Sequence, residues 1–199
     1  MITGPYIALD FETGGTNPSV HAPVSLGLAL MEGEEVYAQE EFIFARMDGD
    51  DRKANQRRGY ELRAMEVTGL RVSQFAKGEY PERVVELVRA WVRKHEAGLL
   101  PVVSYNASFD QSFWSELLFL TGQWDRTLNA YAVCPEVFGG PWWCVRRLFR
   151  VRYPGRITSK LDDALAVVGL AREGELHGAL EDAVLCGRLL ARLTEKVAA

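Results

Sequence analysis

The sequence predicts an α/β domain with a mixed five-stranded sheet: an antiparallel meander, then parallel strands, with helices packed against the faces. Two observations carry this. Short apolar or alternating runs separated by turn residues fill the stretch from Tyr6 to Phe44, which is how strands and their hairpins read. Beyond Pro81, helix-period stretches alternate with short apolar runs, as they do where a crossover helix joins parallel strands. The chain has 199 residues and no internal repeats, low-complexity tracts or linkers. Residues 1–199 therefore read as one domain with a substantial core.

Ile7 to Leu9 form an apolar run between turn signals, the mark of a buried strand. Thr16 to Pro23 is a loop, with Asn17-Pro18 as its turn signal. Val24 to Met31 alternates apolar with small or polar residues, Glu32-Gly33-Glu34 turns the chain, and Glu35 to Phe44 returns as a further strand. Met47 to Gly59 carries both charge signs and reads as an exposed loop, and Tyr60 to Val67 as a short helix capped by Gly69. Pro81 suits the first turn of a helix whose Val84, Val85, Val88, Trp91 and Val92 keep helical spacing to about His95. Leu99 to Val103 is the next buried strand and Ser108 to Leu120 the next helix, with Ser108 as N-cap. Gly122 to Pro141 shows no period and reads as a long connection. Trp142 to Val145 is the last short strand, and Leu161 to Leu170 and Leu176 to Val197 are closing helices.

Apolar residues make up 48% and charged residues 25%, which excludes wholesale disorder. Net charge is −4, from 23 basic and 27 acidic residues, so the chain is no bulk polycation. Any nucleic-acid binding has to come from a local basic patch and bound metal. Cys134, Cys144 and Cys186 have no metal-ligand spacing, and their odd number gives no disulfide framework. A reducing cytoplasm is the expected compartment. No secretory signal is expected, because Asp10 breaks a short N-terminal apolar run that lacks a basic flank. No run approaches the length of a membrane span, so no membrane association is expected.

Asp10 and Glu12 end the first strand. Residues two apart point to one side of a strand, so both carboxylates project together. Such a pair repels unless a cation lies between the two acids or one keeps its proton; the plain alternative is a strand end with solvated acids. Asp110 follows the buried run Leu99 to Val103, at the carboxyl end of a strand, where open sheets place their ligand crevices. A helix-start acid is the ordinary reading there. Asp182 shares a helical stripe with Leu185, Cys186 and Leu189, which turns it toward the core. Buried carboxylates need a partner, and a metal is one. His177 precedes Asp182 by five residues, from a loop or first turn that lets it swing over the same place. His21 stands in a loop without neighbouring acids, and His95 ends a charged helix. Four carboxylates plus an imidazole suit two-metal phosphodiester hydrolysis, with ions roughly 3.5–4 Å apart and a histidine to deprotonate water.

Asp10-Phe11-Glu12-Thr13-Gly14, Asn106-Ala107-Ser108-Phe109-Asp110 and His177-x4-Asp182 resemble, in order, the three exonuclease motifs of the DEDD superfamily. The resemblance is to the subgroup with histidine (DEDDh, DnaQ-like), which includes epsilon-type proofreading exonucleases and RNase T. It covers most of the chain and implies an RNase H-like fold with 3'→5' hydrolysis that releases nucleoside 5'-monophosphates. By position it implies that Asp10, Glu12, Asp110 and Asp182 hold two magnesium or manganese ions and that His177 is the general base. Thr13 and Gly14 would touch the terminal nucleotide, and Asn106 and Phe109 would shape its pocket. The segment Ala64 to Leu70 is similar to one that packs on the terminal base in the family. It has Thr68 where proofreading relatives often carry histidine, and Val67 and Met65 are either its apolar contacts or ordinary core. Leu161 to Leu165 resembles the family's leucine-rich helix, with Asp162 and Asp163 facing solvent.

Arg146, Arg147, Arg150, Arg152, Arg156 and Lys160 stand together with no acid among them, interleaved with Phe149 and Tyr153. That composition suits phosphate contacts and base stacking, and the four arginines Arg146, Arg147, Arg150 and Arg152 are expected to guide a strand; a solvated basic face is the plain alternative. Arg52, Lys53, Arg57 and Arg58 form a weaker cluster mixed with acids. The expected partner is single-stranded nucleic acid or a 3' end, DNA ahead of RNA, with a DNA polymerase as a further candidate. An exoribonuclease is the second reading and a catalytically silent binding module the third.

Overall fold

The apolar run at the N-terminus becomes the centre of the sheet. In a computed structural model, which describes residues 2, 4–49, 56–69, 75, 77–123, 137–156, 158, 160–173 and 178–195, β1 (Tyr6–Thr13) pairs antiparallel with β2 (Pro23–Glu32) and parallel with β4 (Val102–Ser104). β3 (Glu35–Ile43) continues the meander, β5 (Trp142–Cys144) adds in parallel, and the order is β3-β2-β1-β4-β5. The mixed five-stranded sheet expected from the sequence is thus present.

Six helices are described: α1 (Leu62–Thr68), α2 (Pro81–Lys94), α3 (Ala107–Leu120), α4 (Val145–Arg152), α5 (Leu161–Val167) and α6 (Ala179–Thr194). They cover both faces of β1, which explains its apolar run. Ile7, Leu9 and Phe11 pack with Val84, Val88, Phe113 and Leu117 of α2 and α3. Tyr6 and Ala8 pack on the opposite face with Phe149, Leu161, Leu165 and Leu189 of α4, α5 and α6. Strand alternation therefore assigns the even positions of β1, including Asp10 and Glu12, to the α6 face.

Several boundaries differ from the sequence reading. β4 starts only at Val102, and Leu99, 77% exposed, belongs to the turn after α2. Pro101 lacks the N–H that would extend the ladder, though its carbonyl accepts from the Ile7 N–H at 2.9 Å. Ser108 is not an N-cap: α3 begins one residue earlier, after Asn106, and has no side-chain cap. α5 stops at Val167 because Gly169 takes the left-handed conformation (φ +75°). α6 begins at Ala179, after the extended Gly178; the expected start at Leu176 and end at Val197 lie outside the described residues.

Gly27 fixes the approach of α6. It pairs with Asp10 across the β1–β2 ladder, and a Cβ there would overlap the backbone of Ala179 and Leu180. The bare backbone lets the first turn of α6 rest directly on the sheet beside Asp10. Gly27→Ala should therefore lower stability by about 1–3 kcal/mol, the usual cost of overpacking, read as a fall in thermal midpoint. The same variant should weaken Mn2+ binding, because α6 carries Asp182; a variant with wild-type midpoint and metal affinity would show that the close approach does not matter.

Candidate active site

The carboxyl ends of β1 and β4 meet the first turns of α3 and α6, and each of these four elements delivers a polar side chain to the same corner. β1 supplies Asp10 and Glu12 and α6 supplies Asp182, with ligand oxygens all within 4.8 Å of one another. α3 supplies Asp110, 2% exposed, whose carboxylate accepts the Phe11 N–H at 3.0 Å and the hydroxyl of Ser104 at the end of β4. Ser104 was not singled out in the sequence; a lone serine after two valines carries no signal there.

Burial and crowding set the electrostatics. Asp10 is driven well above the carboxylate range by burial, then by the charges of Asp110, Glu12 and Asp182, with Arg172 opposing. Burial and Asp182 push Glu12 from its ordinary 4.5 to about 8, again against Arg172. Burial pushes Asp110 to about 7 despite the hydrogen bonds from Ser104 and Phe11, which favour its charged form. These acids cannot all be ionised together without added positive charge. A partly buried, all-oxygen donor set that is short of positive charge suits a hard divalent cation such as Mg2+ or Mn2+, so the residues fit the group that the sequence motifs imply.

Arg172 is the residue that sequence reasoning missed. It stands between α5 and α6, its side chain only 7% exposed. Its guanidinium pairs with Asp182, reaches Glu181 Oε2 at 3.4 Å, and donates to Asp162 Oδ1 at 3.2 Å. The Glu173 N–H donates to Glu181 Oε1 at 3.1 Å, tying the same segment to α6. A single arginine in an aperiodic connection gives no warning of this; only its closeness in sequence to an acid-rich helix start could have hinted at it.

The other expected residues divide. The Thr13 hydroxyl donates to the Gly15 carbonyl at 2.7 Å, and the Gly14 N–H to Ala22 at 2.8 Å, so both sit at the end of β1 beside the acids. Phe109, half-buried, packs against Phe113 with ring centroids 4.9 Å apart. Asn106 Oδ1 accepts from Arg146 Nη2 at 2.7 Å. The four arginines of the basic segment are placed differently: Arg146 is engaged with Asn106, while Arg147, Arg150 and Arg152 are exposed. His177 lies outside the described residues, as does the side chain of Val67. His21 has an acidic neighbour after all, with Nε2 3.0 Å from Glu61 Oε1, because folding brings the two loops together. Arg58 leaves the weaker basic cluster, buried against Glu116 Oε1 at 2.6 Å.

In the fold, Glu12 and Asp110 hold protons at pH values where they lose them in the unfolded chain. Metal-free protein should therefore lose stability as pH rises from about 4.5 to about 8. Thermal midpoints in chelator should fall across that window and be restored by Mn2+, most at the alkaline end. Arg172→Gln should steepen the fall and tighten Mn2+ binding by about tenfold, since a buried cation beside the acids opposes a second one. A flat profile, or unchanged Mn2+ affinity by calorimetry, would contradict this account.

No protein-family model matches the chain, and no curated protein matches it. Solved structures do. The nuclease domain of 3'hExo, a DEDDh family member bound to rAMP, is 18% identical, with 94% of this chain and 90% of that one covered at a TM-score of 0.70. A 3'-exonuclease recognising a histone mRNA stem-loop is 16% identical over 96% of this chain and 82% of that one, TM-score 0.72. E. coli exonuclease I with single-stranded DNA is 19% identical over 96% of this chain, TM-score 0.68, although this chain spans only 40% of its length. The chain thus shares the RNase H-like fold of these 3' exonuclease structures.

Proposed function

We propose that this chain is a metal-dependent 3'→5' exonuclease that releases nucleoside 5'-monophosphates from single-stranded 3' ends. One observation carries the reading: Asp10, Glu12 and Asp182, from a strand and a distant helix, bring their oxygens within 4.8 Å of one another, with buried Asp110 alongside, on a fold of this kind.

Asp10, Glu12, Asp110 and Asp182 would hold two ions, Mg2+ or Mn2+, which supply charge stabilisation for the attacking and leaving oxygens. The chain's own residues do the rest. His177 accepts the proton of the attacking water as general base. Ser104 and the Phe11 N–H fix the Asp110 carboxylate so that it does not rotate away. Thr13 and Gly14 lie where the terminal nucleotide meets the end of β1, and Phe109 offers that nucleotide an aromatic edge. DNA is the first substrate in this reading. RNA is the second, since the similar structures include an mRNA-binding 3'-exonuclease as well as a DNA-bound one. A site that tolerates the 2'-hydroxyl would accept both. A DNA polymerase stays in the proposal as a candidate partner and a reducing cytoplasm as the compartment.

End-labelled single-stranded DNA, duplex DNA and RNA should be compared with Mg2+, with Mn2+ and with chelator. The expected result is a ladder shortening from the 3' end, abolished by chelator. Asp10→Asn should reduce the rate by more than the about 10–100-fold typical of losing an outer-shell partner, with the fold intact by circular dichroism. His177→Gln should lower the rate and remove the acidic limb of its pH profile. Cleavage that survives Asp10→Asn would overturn the site, and shortening from the 5' end would overturn the polarity.

A further inference from the structure

A groove of about 470 Å3 runs along the outer edge of the sheet, between β5, the first turn of α3 and α4. Ser108 and Gln111 of α3 line one side, and Trp143 and Arg147 stand opposite, with Leu148 and Val151 further along α4. Trp143 is 38% exposed and Val151 79%. An open groove thus presents an indole face, a guanidinium and a hydroxyl together.

The groove and the carboxylate corner share the first turn of α3, which carries Ser108 to the one and Asp110 to the other. Cys144 Sγ and the Arg146 N–H both bond the Tyr105 carbonyl, at 3.4 and 3.1 Å, and Arg146 Nη2 bonds Asn106 Oδ1 at 2.7 Å. The junction of β5 and α4 is therefore fastened to the turn that leads into α3. Asp110 is two residues on from Ser108, about 3 Å along the helix axis and about 200° around it, so the corner lies across α3 from the groove. Arg146 serves as the fastening, and the adjacent Arg147 is left at the groove.

Charge selects the occupant. From Val145 to Lys160 the chain has six cations and no acid, although its net charge is −4. An aromatic face beside cations binds single-stranded nucleic acid, with bases stacked and phosphates paired. β5, only three residues long, is a poor template for an added peptide strand.

We infer that this groove binds the single strand on the 5' side of the nucleotide being removed, Trp143 stacking a base and Arg147 pairing a phosphate. The inference rests on the exonuclease reading for its polarity, but not for the binding itself. Fluorescein-labelled dT10 should be titrated against wild type, Trp143→Ala, Trp143→Phe and Arg147→Gln by anisotropy in chelator at several salt concentrations. Trp143→Ala should weaken binding about tenfold and Trp143→Phe should recover most of it. Arg147→Gln should lower the salt slope by about one. Thermal midpoints near wild type guard against misfolding. In parallel, wild type is given dT10 and the p-nitrophenyl ester of thymidine 5'-monophosphate, which is too short to reach the groove, with Mn2+. If neither is cleaved while the variants still weaken binding, the exonuclease reading fails and the groove stands. If both are cleaved while the variants bind dT10 like wild type, the groove fails and the exonuclease reading stands. Wild type that binds no dT10 at low salt also overturns the groove and leaves that surface to a protein partner.

Discussion

Like charges gathered in a buried corner repel one another, and much of the architecture around β1 answers that repulsion. Asp10 and Glu12 project on the α6 side because strand alternation gives them no other choice, and the register that sets Asp10 opposite Gly27 brings the helix with Asp182 onto them. The fold does not relieve the crowding by moving the acids apart. It holds them with backbone pairing on two sides of β1 and raises their affinity for protons instead. Strain of this kind persists only where surrounding structure over-determines it, and it collects at working sites.

Arg172 shows how the corner's own residues offset its charge. Its charge opposes the upward shifts of Asp10 and Glu12, while its bonds to Asp182 and Asp162 tie α5 to α6. A permanently charged guanidinium is suited to this place, since it cannot give up its proton as a buried lysine could. The same contacts that steady the metal-free corner also compete with whatever cation enters it, so stability and metal affinity pull against each other at one residue.

The carboxylates of the corner were legible in the sequence because their signals are local. Two acids two residues apart at the end of an apolar run state their own geometry, and an acid on the apolar stripe of a helix states its burial. The helices followed from their spacing, since each packs one face on the sheet. What escaped was tertiary. The pairings of Arg172 with Asp182, Arg58 with Glu116 and His21 with Glu61 join separate segments, and no periodicity announces them. Ser108 is no cap because the helix already begins at Ala107, and Asn106 at the cap position makes no cap bond, its side-chain oxygen accepting from Arg146 instead. The start of β4 shifted because Pro101 cannot donate to a ladder.

The basic segment makes the same point at the scale of neighbouring residues. Arg146 and Arg147 are indistinguishable in composition, yet successive helical residues lie about 100° apart around the axis, so one faces inward to Asn106 and the other lines an open groove. That division bears on how a chain of net charge −4 could handle a polyanion at all. Its carboxylates repel phosphate until cations fill the corner, so the acids alone cannot draw in a strand. In the proposed exonuclease, attraction beyond what bound ions supply would come from a separate cationic surface tied to the corner. The fastening of α4 to the turn before α3 supplies that tie. A surface contact between long charged side chains is worth little in water, whereas a guanidinium half-buried against an amide oxygen fixes the distance between the two fields.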